Sequence, residues 1–228
     1  MDASKIQLTD FHVHSTYSAD SNVSIYEIAE YAEHKTLFVV GIADHCSRRS
    51  FGTKMLDQSV VIERRRRIKE VDSKTSTYLL NSVECDILPR GRLTFPKGVQ
   101  KDFFHYVIGS VHSKWDSTTW RDTLKNVISG GKIDVLGHPL AYNAVSWNIM
   151  EDIVLELAKA NVAVELNQRY SFPPKYFLNL AKQHGVKFVL SSDAHTRSEI
   201  GEVGRCVKLI HENALEVINP SRFITCQK

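Results

Sequence analysis

Short apolar segments alternate along the chain with longer segments of mixed polarity. The short segments are rich in Val, Ile, Leu and Phe, which is typical of parallel strands that are buried on both faces. Seven such strands are predicted, at residues 8–13, 37–43, 78–83, 103–111, 133–137, 162–166 and 187–190. The alternation therefore indicates repeated strand–helix units.

The mixed segments between these strands carry helix signals. Ser24 stands three residues before Glu27, the pattern of a capping box, and the Pro pair at 173–174 suits the start of a helix that Gly185 ends. Helices are predicted at residues 24–34, 55–74, 118–129, 149–160, 173–184 and 200–211. Residues 87–102, which contain several Pro and Gly, are predicted to form a loop near the functional site.

Repeated units of this kind restrict the architecture. Parallel strands joined by helices connect through right-handed crossovers, so the units wind into either a barrel or an open doubly wound sheet. The chain has 228 residues and shows no linker, which predicts one domain over residues 1–228. It has no glycine-rich nucleotide-binding loop, so folds that bind nucleotide cofactors have little support.

Ten histidines occur, and six of them lie at or just past the C-terminal end of a predicted strand. In α/β barrels, that end of the strands carries the active site. His12 and His14 stand two residues apart, so they project to the same face of a strand and can bind one metal together. The other histidines at strand ends are His45, His112, His138 and His195. The remaining four, predicted to be structural, are His34, His105, His184 and His211.

Three carboxylates accompany the histidines at the strand ends. Glu84 and Asp193 lie at predicted strand ends, and Asp20 follows in the loop six residues after His14. Nine nitrogen and oxygen donors are too many for one ion and match two or three divalent ions. Such donors favour Zn²⁺, with Mn²⁺ or Fe²⁺ as alternatives. The predicted metal ligands are His12, His14, Asp20, His45, Glu84, His112, His138, Asp193 and His195.

The order of these motifs resembles that of the PHP (polymerase and histidinol phosphatase) superfamily, and residues 104–112, FHYVIGSVH, resemble its histidinol-phosphatase-like branch. The resemblance implies an α/β fold, a distorted seven-stranded (β/α) barrel of the TIM type, with the metal site at the C-terminal end of the strands. It also implies how the ligands divide among three ions. The first ion would take His12, His14, Glu84 and Asp193; the second Glu84, His112 and His138; the third Asp20, His45 and His195.

This resemblance implies hydrolysis of a small-molecule phosphate monoester, either histidinol phosphate, which would belong to histidine biosynthesis, or a related substrate. A water held between two metal ions would attack phosphorus. The candidate catalytic residues are Glu84, Asp193 and His195. Arg169 and Arg197 follow strand ends and are predicted to bind the phosphate, because a guanidinium matches phosphate oxygens.

Other side chains after the strand ends are weaker candidates. Lys114 is a third candidate for phosphate binding. Asp44, beside His45, is predicted either to orient a metal ligand or to make a structural hydrogen bond. Aromatic residues are predicted either to wall a pocket for the leaving group or to pack beneath the loops. They are Trp115, Trp120, Tyr142, Trp147, Tyr170 and Phe172.

Three other functions stay open. A metal-dependent phosphodiesterase or exonuclease would act on nucleic acid or nucleotides, but a net charge of +3 and one arginine run give it modest support. An amidohydrolase also begins with His-x-His, but that class typically has an eighth strand and a lysine in the middle of the barrel. A non-enzymatic module that only holds metals is disfavoured by the complete ligand set.

Charge and cysteine content add little to this interpretation. The arginines at 64–67 are predicted to form a solvated helical face, with a phosphate- or partner-binding patch as the alternative. The four cysteines have no C-x-x-C spacing, which predicts free thiols and a cytoplasmic location. No segment approaches the ~18 apolar residues of a membrane helix. The expected partner is a small phosphorylated molecule, with neither a membrane nor nucleic acid expected.

Overall fold

The computed structural model describes residues 8–46 and 57–224. The described strands are β1 (Thr9–Val13), β2 (Val39–His45), β3 (Tyr78–Leu88), β4 (Arg92–Leu93), β5 (Tyr106–Ser110), β6 (Val135–Gly137), β7 (Ala163–Asn167) and β8 (Phe188–Ser191). All except β4 are parallel and pair in chain order, and β4 pairs antiparallel with the end of β3. The seven parallel strands are those that the sequence predicts.

The last parallel strand returns to the first and nearly closes the sheet into a barrel. The backbone N–H of Asp193 donates to the carbonyl of His12 at 2.9 Å, and that of His14 donates to the carbonyl of Ala194 at 2.8 Å. Asp10 reinforces this seam from β1, because its carboxylate accepts the backbone N–H and the hydroxyl of Ser192 at 2.9 and 2.6 Å. The barrel form therefore confirms the predicted fold and excludes the open doubly wound sheet.

Helices surround the barrel on the outside. Those within the described residues are α1 (Ile25–His34), α2 (Gln58–Asp72), α3 (Ser117–Ser129), α4 (Trp147–Ala160), α5 (Lys175–Gln183), α6 (Gly204–Asn213) and the single turn α7 (Ser221–Ile224). The predicted capping box at α1 is present, with Glu27 N–H donating to Ser24 Oγ at 3.2 Å. The first residues of the predicted helix 55–74 lie outside the described part of the chain. None of the described helices has the length and apolar character needed to cross a bilayer.

An apolar layer fills the barrel beneath the polar end of the strands. Phe11, Tyr106 and Ile108 are buried there, and the phenol of Tyr106 donates to the carbonyl of Phe11 across the barrel at 2.5 Å. Gly41 permits this crossing, because a Cβ at that position would lie 1.6 Å from the Tyr106 hydroxyl. The apolar layer separates the polar C-terminal end of the barrel from its opposite end.

The structure corrects several predicted boundaries. β3 continues to Leu88 and turns back through β4, so residues 87–102 are not simply a loop, and Glu84 lies within the strand rather than at its end. The fourth predicted strand, 103–111, begins only at Tyr106, because residues 101–103 form a 3-10 turn. The predicted helix 200–211 begins at Gly204, after a 3-10 turn in which the Glu199 side chain accepts the backbone N–H of Thr196 at 2.9 Å.

The arginine run is not wholly solvated. The side chain of Arg64 is fully buried, whereas that of Arg66 is 65% exposed. Both lie on α2, and the buried positions of that helix, Val61, Arg64, Ile68 and Val71, follow one stripe along it. Arg64 therefore points into the protein and corrects the expectation of a uniformly solvated face.

Candidate metal centre

All nine predicted metal ligands converge at the C-terminal end of the barrel strands. They lie on six of the seven parallel strands, all except β7, or in the loops that directly follow those strands. Glu84 is the central member, because histidines from β1, β2, β5 and β6 surround its carboxylate. The strand register explains this position, since Glu84 pairs with His45 on one side and with Ile108 on the other.

The first group of donors lies between β1, β3 and β8. His12 Nε2 lies 3.5 Å from Glu84 Oε2 and 4.0 Å from Asp193 Oδ1. His14 Nε2 lies 3.2 Å from the same Asp193 oxygen and 3.9 Å from Glu84 Oε2. Both imidazoles point to the same side of β1, as the His-x-His spacing predicts.

The second group shares Glu84 with the first. Its Oε1 atom lies 3.4 Å from His112 Nε2 and 3.2 Å from His138 Nε2. Its other oxygen, Oε2, faces His12 and His14 of the first group and also His45, whose Nδ1 lies 2.6 Å away. Glu84 therefore lies between two neighbouring groups of donors. The geometry therefore matches the bridging position that the family resemblance implies.

The third group lies at the rim of the barrel, around Asp20. Its Oδ2 atom lies 3.4 Å from His45 Nε2 and 3.2 Å from His195 Nε2. The ring of His14 is centred 4.2 Å from those of His45 and His195, so this group adjoins the first one. Both Asp20 and His195 are partly exposed, which leaves the rim open to solvent.

Hydrogen bonds on the outer side of the rings aim the histidines inward. His12 Nδ1 lies 2.7 Å from Glu165 Oε1, and His112 Nδ1 lies 2.7 Å from Asp86 Oδ1. An ionised carboxylate only accepts hydrogen bonds, so each Nδ1 carries the proton and each Nε2 is turned to the centre. Metal-binding histidines in proteins are held in this way.

The donor set fits divalent metal ions. Three subsets of the donors have ligand atoms within 4.8 Å of one another. The buried His12 Nε2 atom makes no hydrogen bond within the described part of the chain, although it faces two carboxylates. Imidazole nitrogens and carboxylate oxygens in this arrangement are typical of zinc and related transition metals.

Charge is balanced inside the cluster by the histidines themselves. Burial raises the pKa of Glu84, but His12, His112 and His45 outweigh it and hold this pKa well below its usual range. Burial lowers the pKa values of His45 and His112, but Glu84 and other carboxylates raise them to about 9 and about 10. In contrast, burial and the neighbouring His45 lower the pKa of His14 to about 3. The carboxylates of the cluster thus favour the protonated forms of His45 and His112, but His14 is held neutral.

Two of the predicted ligands have strained backbones. His138 has a φ of 23° and Asp193 a φ of 59°, in the left-handed region that favours glycine. The His138 N–H donates to Glu165 Oε2 at 2.8 Å, and the Asp193 N–H donates to the carbonyl of His12 at 2.9 Å. Strain of this kind persists only where surrounding contacts fix it, and it concentrates at functional sites.

A buried network behind the cluster links helix α2 to the ligands. Arg64 donates to Asp44 Oδ2 at 2.6 Å, and Asp44 Oδ1 accepts the hydroxyl of Ser18 at 2.9 Å. The same hydroxyl lies 3.1 Å from His14 Nδ1 and accepts the backbone N–H of His45 at 3.1 Å. Asp44 therefore acts on two ligands through Ser18, rather than by touching the ring of its neighbour His45.

Of the cationic side chains predicted to bind phosphate, only some lie near the cluster. Arg169 reaches the cluster, where its Nε donates to the carbonyl of Asp193 at 3.1 Å and its Nη2 donates to Glu199 Oε1 at 2.9 Å. Arg197 turns away to α1, where it pairs with Glu30 at 3.2 Å. This contact corrects the expectation that Arg197 faces the cluster. Lys114 lies exposed on the loop after β5.

The predicted aromatic wall is reduced to two residues. Tyr142 and Tyr170 lie beside the second group, with their ring centroids 6.0 Å from that of His112 and 4.6 Å from that of His138, respectively. Their hydroxyls are 3.2 Å apart. Of the others, Trp120 is buried in the core, Trp115 packs against the core, Trp147 is exposed on α4, and Phe172 lies under the guanidinium of Arg205.

Sequence reasoning missed the buried groups that hold the ligands. Glu165 and Asn167 contact three of the ligands from β7, and Asp86 contacts His112 from β3. The sequence carries a signal for Glu165 and Asn167. They stand two residues apart at the end of an apolar strand, as His12 and His14 do. Asp86 lies in the part of β3 that follows residue 83, where the predicted strand ends.

The comparisons with known proteins agree with this geometry. A family model described as the PHP domain matches residues 10–169. The chain belongs to the PHP domain family. Seven of the nine donors of this PHP domain protein fall within the matched range, and Asp193 and His195 lie beyond it.

Curated relatives of this PHP domain protein are named probable phosphatases. One from Clostridium botulinum (strain Langeland) is 27% identical over 221 residues and covers 90% of this chain and 86% of the relative. Another, from Clostridium novyi (strain NT), is 26% identical over 222 residues and covers 88% of this chain and 84% of the relative.

Solved structures share the fold of this PHP domain protein. Histidinol phosphate phosphatase from Lactococcus lactis, solved in complex with zinc, L-histidinol and phosphate, gives a TM-score of 0.66 at 16% identity and covers 93% of this chain and 95% of that chain. A chain of archaeal ribonuclease P, solved with mature tRNA, gives a TM-score of 0.51 at 12% identity and covers 90% of this chain and 87% of that chain. At these identities, the likeness establishes the fold.

Proposed function

We propose that this protein is a metal-dependent phosphatase that hydrolyses a small-molecule phosphate monoester. The observation that carries the proposal is the convergence of all nine donors around Glu84 in a buried cluster with an open rim. Two or three divalent ions, most readily zinc, are the proposed cofactors. Held by these donors, the ions would supply Lewis-acid chemistry that activates a water and neutralises phosphoryl charge.

The protein groups at the rim support a phosphorylated substrate. Arg169 holds a fixed positive charge 3.3 Å from the ring of His195, at the open side of the cluster. Its contacts with Asp193 and Glu199 fix the orientation of the guanidinium. A guanidinium fixed in this way presents donors that match phosphate oxygens. Arg169, and not Arg197, is therefore the proposed phosphate-binding residue.

Tyr142 and Tyr170 support a small organic leaving group. Both are half-buried, and they stand beside His112 and His138. Their rings offer an apolar surface and their hydroxyls offer hydrogen bonds, so together they suit a polar organic group of modest size. Histidinol phosphate is the first substrate to test, because the relative of known structure was solved with L-histidinol and phosphate.

The test is a substrate panel on the metal-loaded protein. The protein, prepared with Zn²⁺ or Mn²⁺, is given p-nitrophenyl phosphate, bis(p-nitrophenyl) phosphate and L-histidinol phosphate, and released phosphate or nitrophenolate is measured. We expect the monoesters to turn over and the diester to react much more slowly. Faster turnover of the diester would instead support the phosphodiesterase alternative and overturn the proposal.

Paired histidine variants connect the activity to the cluster. His14→Ala removes a donor from the first group and should abolish both hydrolysis and part of the metal content. His184→Ala is the matched control, since His184 is exposed just past the end of α5, and it should keep both. Activity retained in His14→Ala would remove His14 from the site.

A further inference from the structure

Strand β7 carries buried polar groups although it supplies none of the nine donors. Glu165 and Asn167 lie two residues apart near its C-terminal end, so both side chains project to the same face as the cluster. Their exposed fractions are 0% and 3%. Burying a charged carboxylate is costly unless it is fully paired, so the partners of Glu165 indicate what the strand is built to hold.

Glu165 contacts ligands from both of the groups that share Glu84. Its Oε1 accepts the Nδ1 proton of His12 at 2.7 Å, and its Oε2 accepts the backbone N–H of His138 at 2.8 Å. His12 belongs to the first group and His138 to the second.

Asn167 connects the same carboxylate to a third ligand. Its Nδ2 donates to Glu165 Oε2 and to Asp193 Oδ2, both at 3.1 Å. Its Oδ1 accepts the backbone N–H of Arg169 at 2.9 Å, which fixes the orientation of the amide. One amide therefore bridges two carboxylates and separates their charges by a fixed distance.

We propose that Glu165 and Asn167 are positioning residues that couple the two neighbouring metal positions on either side of Glu84. Glu165 fixes the proton of His12 on Nδ1 and holds the strained backbone of His138, while Asn167 orients Asp193. This inference rests on the metal binding in the proposed function, but not on the phosphate monoester.

The variant Glu165→Gln tests the coupling, because a glutamine side chain has nearly the same shape as glutamate. An amide has one oxygen that accepts, whereas both oxygens of Glu165 accept in the structure. The new NH2 group must therefore face either the His12 proton or the donors of His138 and Asn167. Either result disturbs a ligand, and the loss of such outer contacts typically weakens metal binding about 10–100-fold.

The experiment titrates metal-free protein with Zn²⁺ against a chromophoric chelator, and elemental analysis gives the number of ions bound. Glu165→Gln should bind Zn²⁺ about 10–100-fold more weakly and lose occupancy of both positions. Asp134→Asn is the matched control, because Asp134 also accepts a backbone N–H, that of Val107 at 2.9 Å, but lies before β6 at the opposite end of the barrel. It should bind as the unaltered protein does.

A spectroscopic measurement separates positioning from general destabilisation. ¹⁵N-edited NMR of the imidazoles should find the His12 proton on Nδ1 in the zinc-loaded protein and find this signal lost or shifted in Glu165→Gln. If Glu165→Gln does not fold, Asn167→Ala replaces it; this variant removes the donor to Asp193 and should weaken Zn²⁺ binding as well.

Unchanged zinc affinity and stoichiometry in the folded variant, or an equal loss in Asp134→Asn, would overturn the proposal. Failure of the proposed function gives a different result: the unaltered protein would bind Zn²⁺, and Glu165→Gln would bind it weakly, but no phosphate monoester would be hydrolysed.

Discussion

Arg64 offers the sharpest test of how the fold supports the cluster. Its side chain is fully buried and donates to Asp44 Oδ2 at 2.6 Å, to Asn81 Oδ1 at 2.6 Å and to the carbonyls of Ile42 and Ser82 at 2.5 and 2.9 Å. Replacement by methionine, Arg64→Met, keeps much of the volume but removes every donor. Asp44 would then be a buried charge without its cation.

The burial of this ion pair sets the expected loss in the free energy of unfolding. Breaking a buried ion pair by removing one partner typically destabilises a protein by about 3–5 kcal/mol, because the other charge remains buried. Arg66→Met is the matched control on the same helix, since Arg66 is 65% exposed and lies 3.8 Å from Glu63. An exposed pair of this kind contributes at most about 1 kcal/mol.

Urea unfolding of the metal-free protein measures the difference. With a slope of about 2–3 kcal/mol per molar urea, Arg64→Met should lower the midpoint by roughly 1–2 M, and Arg66→Met should leave it nearly unchanged. The double variant Asp44→Asn/Arg64→Met should lose less than the sum of the two single variants, because the uncompensated charge is gone. A midpoint for Arg64→Met equal to that of Arg66→Met would refute the reasoning.

Further predictions concern the metal and the substrate. Asp86→Asn removes the carboxylate that lies 2.7 Å from His112, so the affinity for Zn²⁺, measured by competition with a chelator, should fall about 10–100-fold. An unchanged affinity would contradict this. At about pH 7.5, His45 and His112 of the metal-free protein are protonated, since Glu84 raises their pKa values to about 9 and about 10. Zinc binding must displace both protons, so affinity should rise with pH, and calorimetry in buffers of different ionisation enthalpy should detect the release; heats independent of the buffer would contradict it. Arg169→Met should raise KM for a phosphate ester about 10-fold or more, whereas the control Arg197→Met should not, because Arg197 pairs with Glu30 on α1.

The nine donors could be located from sequence because strand ends and ligand spacing are local properties. His12 and His14 alternate with Val13 on one strand, and a parallel barrel brings the ends of all its strands to one rim. Once the seven strands are recognised, the donors must meet. The position of Glu84 inside β3 was missed because that strand continues past the cluster into a hairpin with β4.

The direction of a charged side chain is set by tertiary packing, which sequence spacing does not encode. Arg169 and Arg197 both follow strand ends, but the first folds over the cluster and the second pairs with Glu30 on α1. Arg64 lies in a run of four arginines, and its burial was indicated only by its place on the apolar stripe with Val61 and Ile68.

The proposed metal centre requires each oxygen of Glu84 to bind a different divalent ion. A crystal structure of the zinc-loaded protein, with anomalous data collected at the zinc edge, tests it most directly. We predict at least two zinc peaks, each about 2.0–2.2 Å from an oxygen of Glu84 and bound by the histidines that face it. Zinc peaks away from Glu84, or none at the strand ends, would contradict the claim.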